Sequence, residues 1–226
     1  MADGSRRKPE DIRRDVYSQL AWDNRVGHTN IIVRVTDDGT VILSGMVSSY
    51  ADRFEAEEDA YAVSGVKRVE NHLSVSMPPE YPVPEDEDIA AQIENLLRWN
   101  PTVDASRIQV LVKNGILTLT GSVDSAWQKY RVEHLAEDIA GVISVENMLA
   151  VQPIGEVSDD DIRNDILDTL ARNTFINASN ITVSVQGGEV TLSGVVDNHL
   201  SRRTALGIAH NTNGVTDVHD HLEIGP

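Results

Sequence analysis

His219-Asp220-His221 is the first segment of this chain whose residue types could do chemistry. On a strand, side chains alternate between faces, so both imidazoles would stand on one side and offer two nitrogen ligands to a metal. Two ligands do not make a site. A third would have to come from His199 or His210, and nothing in the spacing requires it, so His219 and His221 are expected to be solvated side chains on a strand face. Carboxylates are the next candidates: Glu10-Asp11, the EDED run at 85–88 and the DDD run at 159–161 could hold a divalent cation. Each stands where a helix is expected to begin, and there acids complement the helix dipole and cap free amides. A monovalent ion such as potassium would need a cage of carbonyls, to which a turn like Asp37-Asp38-Gly39 could contribute. Nucleophile and phosphate chemistry find no support, because cysteine is absent and no G-x-G-x-x-G, GK[ST], G-x-S-x-G or H-E-x-x-H occurs. The chain is therefore expected to be no enzyme and to need no cofactor.

Binding chemistry is better represented. Ala126-Trp127-Gln128-Lys129-Tyr130-Arg131 places two rings and two cations on one short helix, a composition suited to a lipid headgroup or a partner's groove. Trp127, Lys129, Tyr130 and Arg131 are the candidate contacts. Trp22 and Trp99, in LAWDNRV and LRWNPTV, follow two other helices at matching positions. An aromatic ring there is expected to close the end of a small core or pack on a neighbouring unit, and both are kept as candidate contacts. The formal net charge of −17 opposes nonspecific adsorption to nucleic acid or to an anionic bilayer. The basic cluster Arg6-Arg7-Lys8 is short and is expected to be a solvated tail. No run of about 18 apolar residues is present and MADGSRRKPEDIRRD lacks an apolar signal region, so a cytoplasmic location is expected.

The elements that position these residues are written three times. VILSGMVSSY at 41–50 returns as LTLTGSVDSA at 117–126 and VTLSGVVDNH at 190–199, with Gly45, Gly121 and Gly194 in register at offsets of 76 and 73. Ahead of each lies an i, i+4, i+8 apolar stripe: Ile12, Val16 and Leu20; Ile89, Ile93 and Leu97; Ile162, Ile166 and Leu170. That spacing predicts a helix with one buried face. Two alternating strands follow, joined at Asp38-Gly39, Asn114-Gly115 or Gly187-Gly188, which are hairpin turns. The glycines near the end of each second strand mark a bulge, a bend or close approach of another backbone. Second helices are expected at about 50–63, 126–139 and 199–212, with Ala56, Ala60 and Val63, then Val132, Ala136 and Ile139, then Ala205, Ala209 and Thr212 inward. Gly65, Gly141 and Gly214 stop them, and a third strand follows each.

The fold class is thus α+β: three αββαβ two-layer sandwich repeats, each with two helices on one face of a three-stranded sheet, at 10–76, 87–151 and 160–224. Short linkers join them, the first proline-rich (MPPEYPVPED) and expected to be stiff.

The order αββαβ, the hairpins GTVILSGMV, GILTLTGSV and GEVTLSGVV, and the endings GVKRVENHL, GVISVENML and GVTDVHDHL resemble the BON domain family, named for bacterial osmotic-stress and nodulation proteins. The resemblance implies non-catalytic modules tied to osmotic stress and envelope homeostasis. Its implied partners are phospholipid headgroups or envelope and stress proteins, with potassium for a relative that carries an added LysM domain. Three similar modules can gain avidity when geometry lets them engage together, and a homo-oligomer is a further expectation.

Overall fold

The computed structural model describes residues 7–77 and 82–225. The proline-rich linker falls partly on 78–81, outside the described residues. Repeat 1 runs α1 (Pro9–Trp22), β1 (Ile31–Val35), β2 (Thr40–Val47), α2 (Tyr50–Tyr61) and β3 (Arg68–Val75). Repeat 2 runs α3 (Asp86–Arg98), β4 (Ile108–Lys113), β5 (Ile116–Val123), α4 (Ala126–Glu137), β6 (Ser144–Asn147) and β7 (Ala150–Val151). Repeat 3 runs α5 (Asp159–Arg172), β8 (Ile181–Gln186), β9 (Glu189–Val196), α6 (His199–Asn211) and β10 (Asp217–Ile224). A short 3₁₀ turn precedes each hairpin.

Within each sheet the middle strand pairs antiparallel with its hairpin partner and parallel with the last strand. The parallel pairing follows from the intervening helix, which carries the chain back to the starting end of the sheet. In repeat 2 the last strand breaks into β6 and β7 around Met148, whose N–H bonds to the Leu119 carbonyl.

Each repeat has its own core. The stripes Ile12, Val16, Leu20, then Ile89, Ile93, Leu97, then Ile162, Ile166, Leu170 are buried against the inward strand residues. Alanines at 56 and 60, 136, and 205 and 209 let the second helix lie close to the sheet. Gly45, Gly121 and Gly194 hold φ of +119°, +113° and +126°. A β-carbon on any of them would stand 2.0 Å from a carbonyl oxygen, of Asn30, Arg107 or Asn180. The thrice-written glycine is therefore a close approach of two backbones where the 3₁₀ turn meets the hairpin.

The acids lie in the first turn of α1, α3 and α5, as expected, and two of them also bond beyond their own helices. Asp86 accepts from the N–H groups of Asn114 (2.7 Å) and Gly115 (2.9 Å), and Asp159 from those of Gly187 (2.8 Å) and Gly188 (2.9 Å). Both carboxylates thus clamp their repeat's hairpin turn, and these amide bonds pull the Asp159 carboxyl below its usual range. In repeat 1 the turn is held from within, by Asp38 bonded to Thr36 and Thr40. Arg7, expected in a solvated tail, pairs with Asp15 and donates to the Ser64 carbonyl (2.7 Å).

Candidate binding surfaces

The second helices bring the three repeats together. Each is capped by a side chain at its start, with Ser49 accepting from the Asp52 N–H, Ser125 from Gln128 and Asn198 from Ser201. One face lies on its own sheet, and the other meets the next repeat.

The contacts recur at equivalent positions. Tyr50, at the head of α2, packs on the core of repeat 2. Its equivalent Ala126 is buried in the core of repeat 3. The third equivalent, His199, stacks on Tyr61 of repeat 1, with ring centroids 4.1 Å apart. One turn further, Phe54 meets the His134 ring edge-on at 5.1 Å, and Arg203, the equivalent of Phe54, donates to Glu58, the equivalent of His134. Tyr130, also equivalent to Phe54, stacks on His210 at 5.6 Å. Repeat 1 holds repeat 2, repeat 2 holds repeat 3, and repeat 3 returns to repeat 1. A head-to-tail contact that closes after three units is a ring with pseudo-threefold symmetry.

Phe54, Tyr130 and Arg203 stand where the three helices converge, and two grooves meet at them. One, of about 390 Å³, lies along the repeat 3 to repeat 1 seam and is lined by Tyr61, Trp127, His199, Arg202, His210 and Asp220 among others. The second, of about 410 Å³, is lined by Arg131, His134, Glu137 and Asp138 beside the shared residues. Burial pushes the His210 imidazole below its ordinary pKa, and the rings of Tyr50 and Tyr130 above theirs.

The candidate patch of α4 is divided by this arrangement. Trp127 is half-buried in the first groove, Arg131 lines the second, Tyr130 borders both, and Lys129 lines neither. Trp22 and Trp99 do not close any core: they are 75% and 85% exposed. Phe175, in the matching loop of repeat 3, is 65% exposed and was not singled out in the sequence. Its signal was present, because LARNTFI carries its ring three residues beyond the position of the two tryptophans.

The three loops are held from behind. Arg25 pairs with Asp23 (2.5 Å) and Glu55 (2.7 Å), and the Arg25 guanidinium and backbone N–H that bond to Asp23 pull its buried carboxyl down. Asn100 accepts from the Thr102 N–H, and Gln128 donates to the Thr102 carbonyl. Asn173 accepts from the Phe175 N–H, and the Ser201 hydroxyl donates to the Phe175 carbonyl. Each loop is thereby tied to its own turn or to the head of the second helix.

The histidines expected on a strand face are there. His219 and His221 are exposed, and His219 Nε2 lies 3.4 Å from Glu189. His199 and His210 sit on α6, across the sheet from them, and Asp220 turns inward to Arg202 (2.7 Å). Among the described residues no group of three or more His, Asp or Glu side chains could hold a metal ion. The Asp38 carboxylate of the candidate ion turn is engaged with Thr36 and Thr40. Among the described residues no helix is long and apolar enough to cross a membrane.

Comparison with known proteins agrees with the threefold repeat. Osmotically-inducible protein Y of Escherichia coli (strain K12) is 33% identical over 141 residues, 61% of this chain and 70% of that protein. An uncharacterized protein in the gshII 5′ region of Anaplasma centrale is 28% identical over 124 residues, 53% of this chain and 82% of that protein. A solved structure, the C-terminal domain of CdsD, a structural protein of the type III secretion system of Chlamydia trachomatis, is 18% identical. The match covers 97% of this chain and all of that one, with a TM-score of 0.27, too loose an overlap to support any inference. The BON domain model matches three times, over residues 9–77, 85–153 and 158–226. The chain belongs to the BON domain family.

Proposed function

We propose that this chain is a non-catalytic binding protein of the osmotic-stress response that docks on phospholipid surfaces through three points at once. The observation that carries this is the exposure of one aromatic side chain per repeat around a closed ring: Trp22 at the last residue of α1, Trp99 just after α3 and Phe175 in the braced loop after α5. The repeat relates Trp22 and Trp99 to Arg172, three residues before Phe175. Each repeat thus offers one exposed ring next to the end of its first helix, and a surface that meets all three would engage them together. Each ring has an arginine within three residues, Arg25, Arg98 and Arg172. Aromatic rings and arginine stems suit the boundary between headgroups and acyl chains. Any one contact is weak, and fixing three of them in one body makes the second and third effectively intramolecular. The excess of acids disfavours an anionic bilayer and favours a zwitterionic one. The similarity to osmotically-inducible protein Y supports the physiological setting.

Flotation with phosphatidylcholine vesicles at physiological salt tests the proposal. Wild-type protein is expected to float, with each single alanine substitution at 22, 99 or 175 lowering binding several-fold. The triple variant Trp22→Ala, Trp99→Ala, Phe175→Ala is expected to abolish binding, while Trp127→Ala leaves it intact. A wild-type protein that does not float, or a triple variant that floats as well as wild type, would sink the proposal.

A further inference from the structure

The three seams of the ring use the same positions with different chemistry. Position 54 and its equivalents are Phe54, Tyr130 and Arg203, and position 58 and its equivalents are Glu58, His134 and Gly207. The first seam therefore packs Phe54 on His134, and the second stacks Tyr130 on His210 and buries Ala126. The third is ionic. Glu58 receives the Arg203 guanidinium at 2.5 Å and has His199 Nε2 at 3.2 Å, while Arg202, paired with Asp220, extends to the Tyr61 hydroxyl at 3.3 Å. The chain itself ties repeat 1 to repeat 2 and repeat 2 to repeat 3. Repeats 3 and 1 are separated by the whole middle of the chain, so their seam closes by contact alone.

We propose that the seam between repeats 3 and 1 is an ionic latch centred on Glu58, which rising ionic strength opens, widening the aromatic groove of Tyr61, Trp127 and Tyr130. Arg203 is largely exposed, so its attraction to Glu58 is screened by salt. The screening length falls from about 10 Å at 0.1 M to about 3 Å at 1 M. The other two seams are held by rings and methyl groups, which salt does not weaken in this way. One of three otherwise equivalent joints is therefore set to yield as ions concentrate. The osmotic setting rests on the function proposed above, but the latch rests on the seam alone and is tested without a membrane.

The chain has no cysteine, so pairs of spin labels can be placed at will. Ser74→Cys with Ser184→Cys spans the third seam, and Ser74→Cys with Gln109→Cys spans the first; all three positions are exposed. Between ~0.1 and ~1 M KCl the 74–184 distance is expected to lengthen, with a rise of roughly two- to fivefold in the open fraction, and the 74–109 distance to hold. Sucrose at equal osmolality should leave both unchanged. E58Q is expected to open the third seam already at low salt. Glu58→His with Arg203→Phe, which transplants the chemistry of the first seam, should keep it closed throughout. A 74–184 distance that ignores salt, an equal response of both pairs, or opening by sucrose would overturn the latch. Failure of vesicle flotation would leave this result untouched.

Discussion

Gly121→Ala is expected to destabilise its repeat by about 3 kcal/mol or more, from two causes that add. The residue holds φ at +113°, where a side chain strains the backbone. A new β-carbon would also stand 2.0 Å from the Arg107 carbonyl oxygen and 3.1 Å from its carbon. Neither strand can move aside, since Ile108 and Gly121 are partners in the β4–β5 register. A contact with a flexible side chain would relax, but this one is backbone against backbone. Gly207 is the control: it lies in helix α6 with nothing within 4 Å of an added β-carbon. Gly207→Ala should be neutral or stabilising by up to about 1 kcal/mol. Urea unfolding of the two variants separates the effects, and a Gly121→Ala loss below about 1 kcal/mol would contradict the close-approach explanation.

Asp59→Leu is expected to do the reverse and stabilise the protein at neutral pH, by about 1–3 kcal/mol. The equivalents of Asp59 are Leu135 and Ile208, so the fold accommodates an apolar side chain there. Asp59 is only 6% exposed, with Oδ1 accepting from the Gln19 amide at 2.9 Å and Oδ2 buried without a partner. Burial, ahead of the opposing bond from Gln19 and helped by nearby Asp23 and Glu58, pushes its pKa up. The sign follows. A carboxyl whose folded pKa is raised binds its proton more tightly when folded, so its cost is absent below the unfolded value of about 3.9 and grows as pH rises through the folded value. The advantage of leucine should therefore be largest at pH 7 and shrink on acidification toward pH 4. The freed Gln19 is half-exposed and can turn to water. Loss of stability in Asp59→Leu at pH 7, read from thermal melts across that range, would refute the assignment.

Much of this molecule is legible in its sequence, because local rules set its repeats. The i, i+4, i+8 stripes, the hairpin dipeptides and the recurring glycines each state a local requirement, and three copies state it redundantly. Gly141 illustrates this: it stands in the turn that follows α4, which ends at Glu137 and not at 139, with φ of +93°, and an added β-carbon would meet Ile89 Cδ1 at 2.6 Å. The ring is illegible for the opposite reason. Its contacts join positions 54, 130 and 203, where the chain has Phe, Tyr and Arg, so no shared pattern marks them as one surface. Nor does local sequence show that Asp86 and Asp159 reach hairpin turns 28 residues away.

Trp22 is a different case, since the helical wheel held the answer. Two residues past Leu20 is about 200° around the helix, nearly opposite the buried stripe. A ring placed there points to solvent, as it does. Trp127 carried the reverse lesson. It heads a helix whose outer face is covered by neighbouring repeats, so residues that look like a free amphipathic surface instead line grooves on either side of Tyr130.

Everything proposed for the surface depends on the three repeats forming one closed body. Small-angle X-ray scattering of the whole chain at low salt tests this most directly. A closed ring of 226 residues should give a radius of gyration of about 17 Å, that of a compact chain of this length. Three repeats strung out on their linkers would give about 25 Å or more, and that value would contradict the ring.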